Sequence, residues 1–433
     1  MAARDGARRH THRSRRRLRA HHPRDLRRLI AEGDTLFGGR HFGSYHFLVA
    51  LSDRTTHFGL EHHESSDNRL PARAFLDADR RTLWARLLPH EFAHSWNGKF
   101  RRPAQQTLAD YQQPRQTDLL WVYEGLTAYL GNVLAVRSGL WPADLLRARW
   151  ADYAGALDAE RGRSWRALED TAISARVLYN APTEWSSWRR AADFHPEGEL
   201  LWLEVDAIIR ERTGGRRSID DFCRRFFGGI GAPTVSPYRE AEITSALNDV
   251  CPWDWEGFFA RRVRTVCGDG PAAGIERAGW RVAYGAEPNA WGALLARIGG
   301  ESDLQPSVGA RLDDDGTVLD VSPGSDAERA GLVPGARIVA VDRRAFSTER
   351  LLAALRRARP STSSIDLLVV SDGWYEDRHL AAPRGLRYPR LERSAASPDF
   401  LAAVFAPHAS AKGTDRLMSN HSASGSAPLR AHQ

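Results

Sequence analysis

The stretch 87–97 constrains this chain more than any other, because it places a His-Glu-x-x-His motif on an apolar helical pattern. Residues four apart lie on one face of an α-helix, so His90 and His94 can present both imidazoles to one point. Two imidazoles at that spacing suit a Zn²⁺ ion. Glu91 lies one step round the helix, where its carboxylate can accept a proton from an activated water. The spacing therefore predicts a metal centre on a buried helix, and the alternative is two surface histidines that fall at this spacing by accident.

A catalytic zinc site needs a third protein ligand and leaves one coordination position open. Glu124 is the candidate, because the surrounding segment 120–130 repeats apolar residues at helical spacing and predicts a second amphipathic helix. A carboxylate in such a helix can equally be an ordinary solvated or hydrogen-bonded residue. The spacing alone does not choose between these two interpretations.

Three segments, HEFAHSWNGKFRRP, LWVYEGLTAYL and GLEHHESS, together resemble the glycyl aminopeptidase family of gluzincin zinc metallopeptidases, whose members carry a PDZ domain. The resemblance covers about residues 36–393. It implies a Zn²⁺ cofactor bound by His90, His94 and Glu124, with Glu91 as the general base. It also implies an aminopeptidase that removes small N-terminal residues, glycine or alanine, from peptide substrates.

A short segment ahead of the motif, Gly59-Leu60-Glu61-His62, follows the apolar run SYHFLVAL, which predicts a strand over 44–51. In the resembled aminopeptidases, a Gly-x-x-Glu type edge strand lines the cleft and its carboxylate holds the α-amino group of the substrate. Mapped onto this chain, Gly59 and Glu61 are expected to bind substrate. An ordinary polar strand edge is the alternative.

His195 departs from the family pattern, because the resembled enzymes usually have Tyr two residues before the pair that is Glu197-Gly198 here. They use that phenol to stabilise the tetrahedral oxyanion. An imidazole can also donate a hydrogen bond to an oxyanion. His195 is therefore a candidate catalytic residue, and the alternative is a change that weakens catalysis.

The C-terminal part matches Gly-Ser-x-Ala-x-x-Ala-Gly-Leu-x-x-Gly-x-x-Ile-x-x-Val from Gly324 to Val341, a pattern similar to PDZ domains. PDZ domains bind an extended peptide at a sheet edge, with loop amides on its C-terminal carboxylate. The corresponding loop is 307–310, so one interpretation is a partner's peptide C-terminus bound there. The other is a packing or regulatory module.

Together these patterns predict an α+β architecture. A thermolysin-like, mainly helical zinc peptidase domain is expected over 29–290, followed by a small β-rich PDZ domain over 305–382. Residues 1–28 and 394–433 are low in apolar content or rich in Ser, Ala and His, and are expected to be disordered tails. The β domain that usually precedes the catalytic domain in this family is expected to be missing, as in a truncated N-terminus.

Composition excludes several function classes. The net charge is +7, but residues 1–28 contribute +9, because they hold 11 Arg against two Asp. Of the 61 basic residues, 59 are Arg, so we expect no nucleic-acid partner.

No run of 18 apolar residues occurs, and no apolar segment follows the basic start, so we expect no membrane span, no signal peptide and a cytoplasmic location. Cys223, Cys251 and Cys267 match no metal-binding spacing and are interpreted as buried or free thiols.

Two functions from different classes follow. The first is a zinc-dependent aminopeptidase. The second is a catalytically weak or inactive peptide-binding protein, in which a PDZ domain is carried on a peptidase scaffold. About one zinc per chain and hydrolysis of small aminoacyl substrates would distinguish the first from the second.

Overall fold

The computed structural model describes residues 23–110, 112–182, 184–266, 270–358 and 364–409. The described helices are α1 Pro23–Phe37, α2 Ala78–Trp84, α3 Leu87–Ala93, α4 Leu120–Tyr123, α5 Gly125–Arg137, α6 Ala143–Ala159, α7 Leu168–Ile173, α8 Ala175–Leu178, α9 Ser186–Arg189, α10 Pro196–Thr213, α11 Ile219–Phe227, α12 Glu240–Val250, α13 Trp255–Phe259, α14 Ala273–Arg277, α15 Ala290–Ile298, α16 Asp326–Arg329, α17 Thr348–Arg357 and α18 Phe400–Phe405.

The described strands are β1 His46–Leu51, β2 Phe58–Glu61, β3 Ser65–Leu70, β4 Arg101–Pro103, β5 Ser236–Tyr238, β6 Trp280–Gly285, β7 Ser302–Leu304, β8 Ala310–Leu312, β9 Val318–Val321, β10 Arg337–Val341, β11 Arg344–Ala345, β12 Ser364–Ser371, β13 Trp374–Ala381 and β14 Tyr388–Arg393. The chain is therefore α+β, with most of its helices ahead of most of its strands.

The larger of two apolar cores is built around α5 and α10, which pack against each other. Every residue of α5 is buried, because the helix is apolar on all its faces and is enclosed on all sides. The sequence predicted a helix here, and that is confirmed. The predicted amphipathic character is wrong, since no face of α5 is left to solvent.

A three-stranded sheet in the order β1-β3-β2 lies beside α3. β1 runs parallel to β3, and β2 pairs antiparallel with β3 at the sheet edge. The predicted strand in SYHFLVAL is thus confirmed, and Gly59 and Glu61 lie on an edge strand as expected. The Tyr45 hydroxyl donates a 3.0 Å hydrogen bond to the backbone oxygen of Glu91. This bond links the residue just before β1 to the motif helix.

Both predicted tails need correction where the structure describes them. Helix α1 begins at Pro23, inside the segment 1–28 that was expected to be disordered, because Leu26, Leu29 and Ile30 pack on the larger core. Helix α18 lies inside 394–433, and its residues Leu401, Val404 and Phe405 are buried in the same core. The remainder of these two segments, 1–22 and 410–433, lies outside the described residues.

A second, separate apolar core lies within 304–386. Two sheets surround it, in the orders β7-β8-β9 and β11-β10-β12-β13, together with α16 and α17. Residues 305–382, where a small β-rich domain is expected, do form mainly strands. The predicted limits are too narrow, because β7 begins at Ser302 and the buried side chain of Leu386 belongs to this core. We call residues 302–386 the second module.

The chain returns to the larger core after the second module. β14 pairs antiparallel with β6, which precedes the module, and Tyr388 lies opposite Gly285 in that pair. The predicted domain limit at 290 is therefore too early, because α15, β14 and α18 also contribute to the helical body. None of the described helices has the length and apolarity that crossing a bilayer requires.

Candidate active site

The motif helix α3 ends at Ala93, and His94 forms its C-cap. Pro89 lies in the first turn, where its missing N–H costs no intrahelical hydrogen bond. The Nδ1 atom of His94 lies 2.9 Å from the backbone oxygen of Asn97. A carbonyl oxygen only accepts, so Nδ1 carries a proton, and in the neutral ring Nε2 presents a lone pair. The local turn therefore fixes the tautomer that a metal ligand needs.

Glu124 lies at the break between α4 and α5. The side-chain amide of Asn97, which is fully buried, donates to the backbone oxygen of Val122 at 2.8 Å and to the Thr127 hydroxyl at 3.0 Å. A Cβ added to Gly131 would lie 2.8 Å from the Cα of His90, so glycine there lets α5 pack directly on α3. These contacts bring Glu124 to the two histidines.

Three predicted ligands converge. His90 Nε2 and His94 Nε2 lie 3.1 Å apart, and the Oε2 atom of Glu124 lies 3.4 and 3.3 Å from them. Their ligand atoms are all within 4.8 Å of one another, and no other such group of His, Cys, Asp or Glu occurs in the described ranges. Three electron-pair donors aimed at one point fit a cation, and two imidazoles with one carboxylate are the donor set of a catalytic zinc.

The charges around these ligands favour a bound cation as well. Burial favours the neutral ring of His94, but the carboxylates of Glu124, Glu61 and Glu91 outweigh burial and raise its pKa to about 9. Burial, assisted by the charge of His94, lowers the pKa of His90 to about 4. The three carboxylates thus stabilise one positive charge at the point where the predicted ligand atoms meet.

Glu91 is buried against the edge strand. Burial raises the pKa of its carboxyl to about 8, and the nearby carboxylates of Glu61 and Glu124 act in the same direction. A Cβ added to Gly59 would lie only 2.0 Å from Oε1 of Glu91. The absence of a side chain at Gly59 therefore makes room for this carboxylate, a role that differs from the substrate contact expected from the sequence.

Glu61 already has partners. The Tyr123 hydroxyl donates to Oε1 of Glu61 at 2.6 Å, and Lys99 Nζ lies 3.1 Å from the same oxygen. Burial acts against ionisation, but His94, Lys99 and the Tyr123 hydrogen bond outweigh it and lower the pKa of Glu61 to about 2. Among the described residues, none donates a hydrogen bond to Oε2. One oxygen of an ionised carboxylate thus remains available in the site.

His195 reaches the site through a close helix contact. A Cβ added to Gly125 would lie 2.8 Å from the Cα of Gly198, so two glycines let α10 approach the start of α5. His195 is the N-cap of α10, and its Nδ1 atom lies 3.8 Å from Oε2 of Glu124. The imidazole is half-buried beside the ring of Tyr179, whose centroid lies 6.3 Å away. The structure therefore brings His195 close to the predicted ligand Glu124.

Sequence reasoning missed two polar side chains here. Tyr123 lies next to the predicted ligand Glu124, in a segment whose apolar spacing predicts only a helix. Lys99 lies in the quoted run after the motif, but nothing local in the sequence pairs it with Glu61.

The predicted peptide-binding loop of the second module differs from the candidate active site, because its backbone amides are hydrogen-bonded within the chain. The backbone amides of Ser307, Val308 and Gly309 all donate to the backbone oxygen of Leu304, at 2.9–3.1 Å. Strand β8 pairs with β7 on one side and with β9 on the other. The loop amides and both edges of β8 are therefore satisfied within the chain. The expected cradle for a peptide carboxylate at 307–310 is occupied by the protein itself.

Comparisons with known proteins agree with the sequence pattern around the site. The family model of the M61 glycyl aminopeptidases matches residues 84–201, a range that includes both histidines of the motif, Glu91, Glu124 and His195. No curated protein matches the chain significantly.

Two solved structures illustrate the structural similarity. An aminopeptidase N family protein from Idiomarina loihiensis aligns at a TM-score of 0.70 and 20% identity, over 88% of this chain and 66% of that protein. This similarity concerns the fold, and the chain spans about two thirds of that protein's length. A mutant M1 zinc metallopeptidase from Deinococcus radiodurans, bound to a Tyr-Ser-Ala substrate, aligns at 18% identity over 58% of this chain and 46% of that protein. Its TM-score of 0.32 is too low to define a shared fold.

Proposed function

We propose, from the premise that residues 84–201 belong to the glycyl aminopeptidase family, that this peptidase is a zinc-dependent aminopeptidase. The observation that carries the proposal is the convergence of His90, His94 and Glu124 on one point, with the Glu91 carboxylate beside them. These three residues would hold Zn²⁺. When bound, the ion lowers the pKa of a coordinated water and polarises the peptide carbonyl.

The chain's own residues then divide the remaining work. Glu91 takes a proton from the attacking water and passes it to the leaving amine, a transfer typically worth 10²–10⁴ in rate. His195 donates a hydrogen bond to the oxygen of the tetrahedral intermediate. Oε2 of Glu61 accepts from the α-ammonium of the substrate, while Tyr123 and Lys99 hold Oε1. An anchored N-terminus makes the reaction that of an exopeptidase, and the family favours a small first residue, glycine or alanine.

For the second module we propose a PDZ-like fold that packs on the peptidase body. Asp320, fully buried in the module, accepts hydrogen bonds from the Ser187 backbone amide at 2.9 Å and the Ser186 hydroxyl at 2.8 Å. The satisfied edges of β8 favour this packing role over capture of a peptide C-terminus. The function of a peptide-binding protein without catalysis is therefore the weaker candidate.

The test begins with the metal content of the purified chain. About one zinc per chain, removable by a chelator, is expected, together with hydrolysis of alanyl and glycyl amides that stops on chelation and returns with added Zn²⁺. A chain that binds zinc but cleaves neither amide would contradict the aminopeptidase and favour a metal-bound scaffold.

A further inference from the structure

Arg190 lies five residues before His195, and its side chain is buried in the loop that leads to α10. Its Nε atom donates to Oδ2 of Asp193 at 2.6 Å, and Nη2 donates to Oε2 of Glu197. Nη1 donates to the backbone oxygen of Arg166 at 2.5 Å. One guanidinium thus binds a carboxylate two residues before His195 and another carboxylate two residues after it.

The loop is built to keep this guanidinium in place. A Cβ added to Gly162 would lie 2.4 Å from Cγ of Arg190, so glycine there makes room for the side chain. The backbone of Arg190 has a φ of 53°, a left-handed conformation that is unfavourable for a residue with a side chain. Such a conformation persists only where the surroundings hold it. Here Nη1 of Arg166 donates to the backbone oxygen of Arg190 at 2.7 Å, and the guanidinium bonds act in the same way.

The imidazole of His195 depends on the backbone for its position. Within the described structure it forms no hydrogen bond, and the 3.8 Å from its Nδ1 atom to Oε2 of Glu124 exceeds hydrogen-bonding distance. The backbone amide of His195 donates to the oxygen of Ala192 at 3.0 Å, and the amide of Glu197 donates to the oxygen of Asp193 at 2.8 Å. The turn 192–197 therefore sets where the ring lies.

Other contacts near this turn do not replace Arg190. The glycine contact between α5 and α10 fixes the helix, but His195 precedes the first helical residue. Arg163 donates to Oε1 of Glu197 at 3.0 and 3.2 Å, so it supports one of the two carboxylates. Among the described residues, Arg190 alone is bonded to the carboxylates on both sides of His195.

Glu160 is a third carboxyl near the guanidinium. Its Oε2 atom lies 3.8 Å from Nε of Arg190, beyond hydrogen-bonding distance. Burial raises the pKa of Glu160, and the neighbouring charge of Asp193 acts in the same direction. The neutral form of Glu160 is thereby favoured, so it does not compete with Asp193 and Glu197 for Arg190.

We propose that Arg190 is a positioning residue, which binds Asp193 and Glu197 together and so holds the turn that carries His195 to the reacting carbonyl. The inference rests on the proposed function, in which His195 donates a hydrogen bond to the oxygen of the tetrahedral intermediate. A guanidinium suits this role, because its planar fork bonds in fixed directions, whereas an ammonium is a compact point charge. The rate lost without Arg190 should therefore be a share of the rate that His195 supplies.

A double-mutant cycle between Arg190 and His195 tests this dependence. Loss of one oxyanion donor lowers kcat by about 10²–10³-fold, which is the expectation for His195→Ala. Arg190→Lys keeps the charge without the fork, and it should lower kcat by about 10- to 100-fold with KM nearly unchanged, because a displaced donor acts in the transition state. In the His195→Ala background, Arg190→Lys should lower kcat no further.

Two further variants and a spectroscopic measurement complete the test. Arg163→Gln removes only bonds to Glu197, so it should show a smaller loss with the same dependence on His195, and it serves if Arg190→Lys does not fold. Arg210→Lys is the matched control, because this buried arginine of α10 bonds Asp206 at 3.0 Å, and kcat should stay unchanged. The ring resonances of His195, identified by their absence in His195→Ala, should shift in Arg190→Lys and not in Arg210→Lys. Zinc content and thermal unfolding show which variants are folded.

The outcomes separate this inference from the proposed function. An equal loss of kcat with and without His195, or unshifted ring resonances, would overturn the positioning role and leave the aminopeptidase in place. If His195→Ala keeps the kcat of the wild type, His195 takes no part in the chemistry, and the inference falls while the aminopeptidase stands. If the wild type cleaves no alanyl or glycyl amide, the proposed function fails and this inference fails with it.

Discussion

The proposed metal site and the second module both carry strong sequence motifs, but they differ in which hydrogen-bonding and ligand atoms the fold leaves unbonded. At the proposed metal site, the possible ligand atoms of His90, His94 and Glu124 lie within 4.8 Å of one another. In the second module, the amides expected to bind a ligand are bonded to Leu304 instead. A motif therefore predicts a fold in both regions, while a binding function also requires donors and acceptors that the fold does not itself use.

The largest effect is expected for a substitution at the proposed metal site. His94→Ala removes one of the three proposed zinc ligands, and the chain should lose stoichiometric metal and with it all measurable turnover. Metal analysis after dialysis measures the loss, and Asn132→Ala, a buried polar change outside the ligand set, is the matched control. A His94→Ala protein that keeps one zinc would break the ligand assignment.

Glu91→Gln separates catalysis from metal binding in the same region. The amide is nearly the same size as the carboxylate, so zinc should remain, and kcat should fall by about 10²–10⁴ because the general base is gone. Steady-state kinetics with parallel zinc determination measure the effect. Unchanged kcat would remove Glu91 from the proton transfer, and joint loss of metal would make it a structural residue.

A smaller effect is expected at Glu61. A charge-assisted hydrogen bond contributes about 1.5–3 kcal/mol, or one to two decades in kcat/KM. Acetylation of the substrate N-terminus should therefore slow cleavage by the wild type, and Glu61→Ala should narrow the gap by slowing only the free-amine peptide. Equal cleavage of acetylated and free peptides by the wild type would make the protein an endopeptidase.

Asp320→Ala tests how the second module is held. Loss of the acceptor for Ser186 and Ser187 leaves buried donors unpaired and should cost about 1–3 kcal/mol of unfolding free energy. Denaturant unfolding measures this, and Asp377→Ala on strand β13 is an exposed control. An unfolding free energy equal to that of the wild type would show that these bonds do not fasten the module.

We expect the second module not to bind the C-terminus of a peptide. C-terminal peptides, titrated into the full chain by calorimetry, should show no saturable binding, because β8 already has strand partners on both sides. Saturable binding that is lost when the peptide C-terminus is amidated would show that the second module also binds a ligand, as the proposed metal site does.

The sequence predicted the local parts of the site better than the long-range parts. The two histidines and Glu91 follow from helical spacing within five residues. Glu124 needed the family resemblance, because nothing in the chain's own spacing joins it to the motif. The contact between Lys99 and Glu61 depends on how the edge strand meets the turn after α3, which no local pattern encodes.

The limits of the domains were likewise harder to predict from the sequence than the local elements within them. The turns and strands of the second module were predictable from Gly, Pro and apolar patterning within 317–370. Its boundaries were not, because the pairing of β14 with β6 joins segments about a hundred residues apart. Helix α18 was missed for a related reason: its Leu401, Val404 and Phe405 become buried only against helices formed much earlier in the chain.

The pairing of Tyr388 with Gly285 has an evolutionary consequence. Because the chain leaves and re-enters the helical body near the paired strands β6 and β14, residues 299–387, between α15 and β14, form one closed loop of the body. The entropy of closing such a loop grows only slowly with its length, by about 0.6 kcal/mol for each doubling. Insertions and deletions in this segment are therefore inexpensive for the body. Relatives can be expected to vary there in length more freely than at any point between the motif helix and α10.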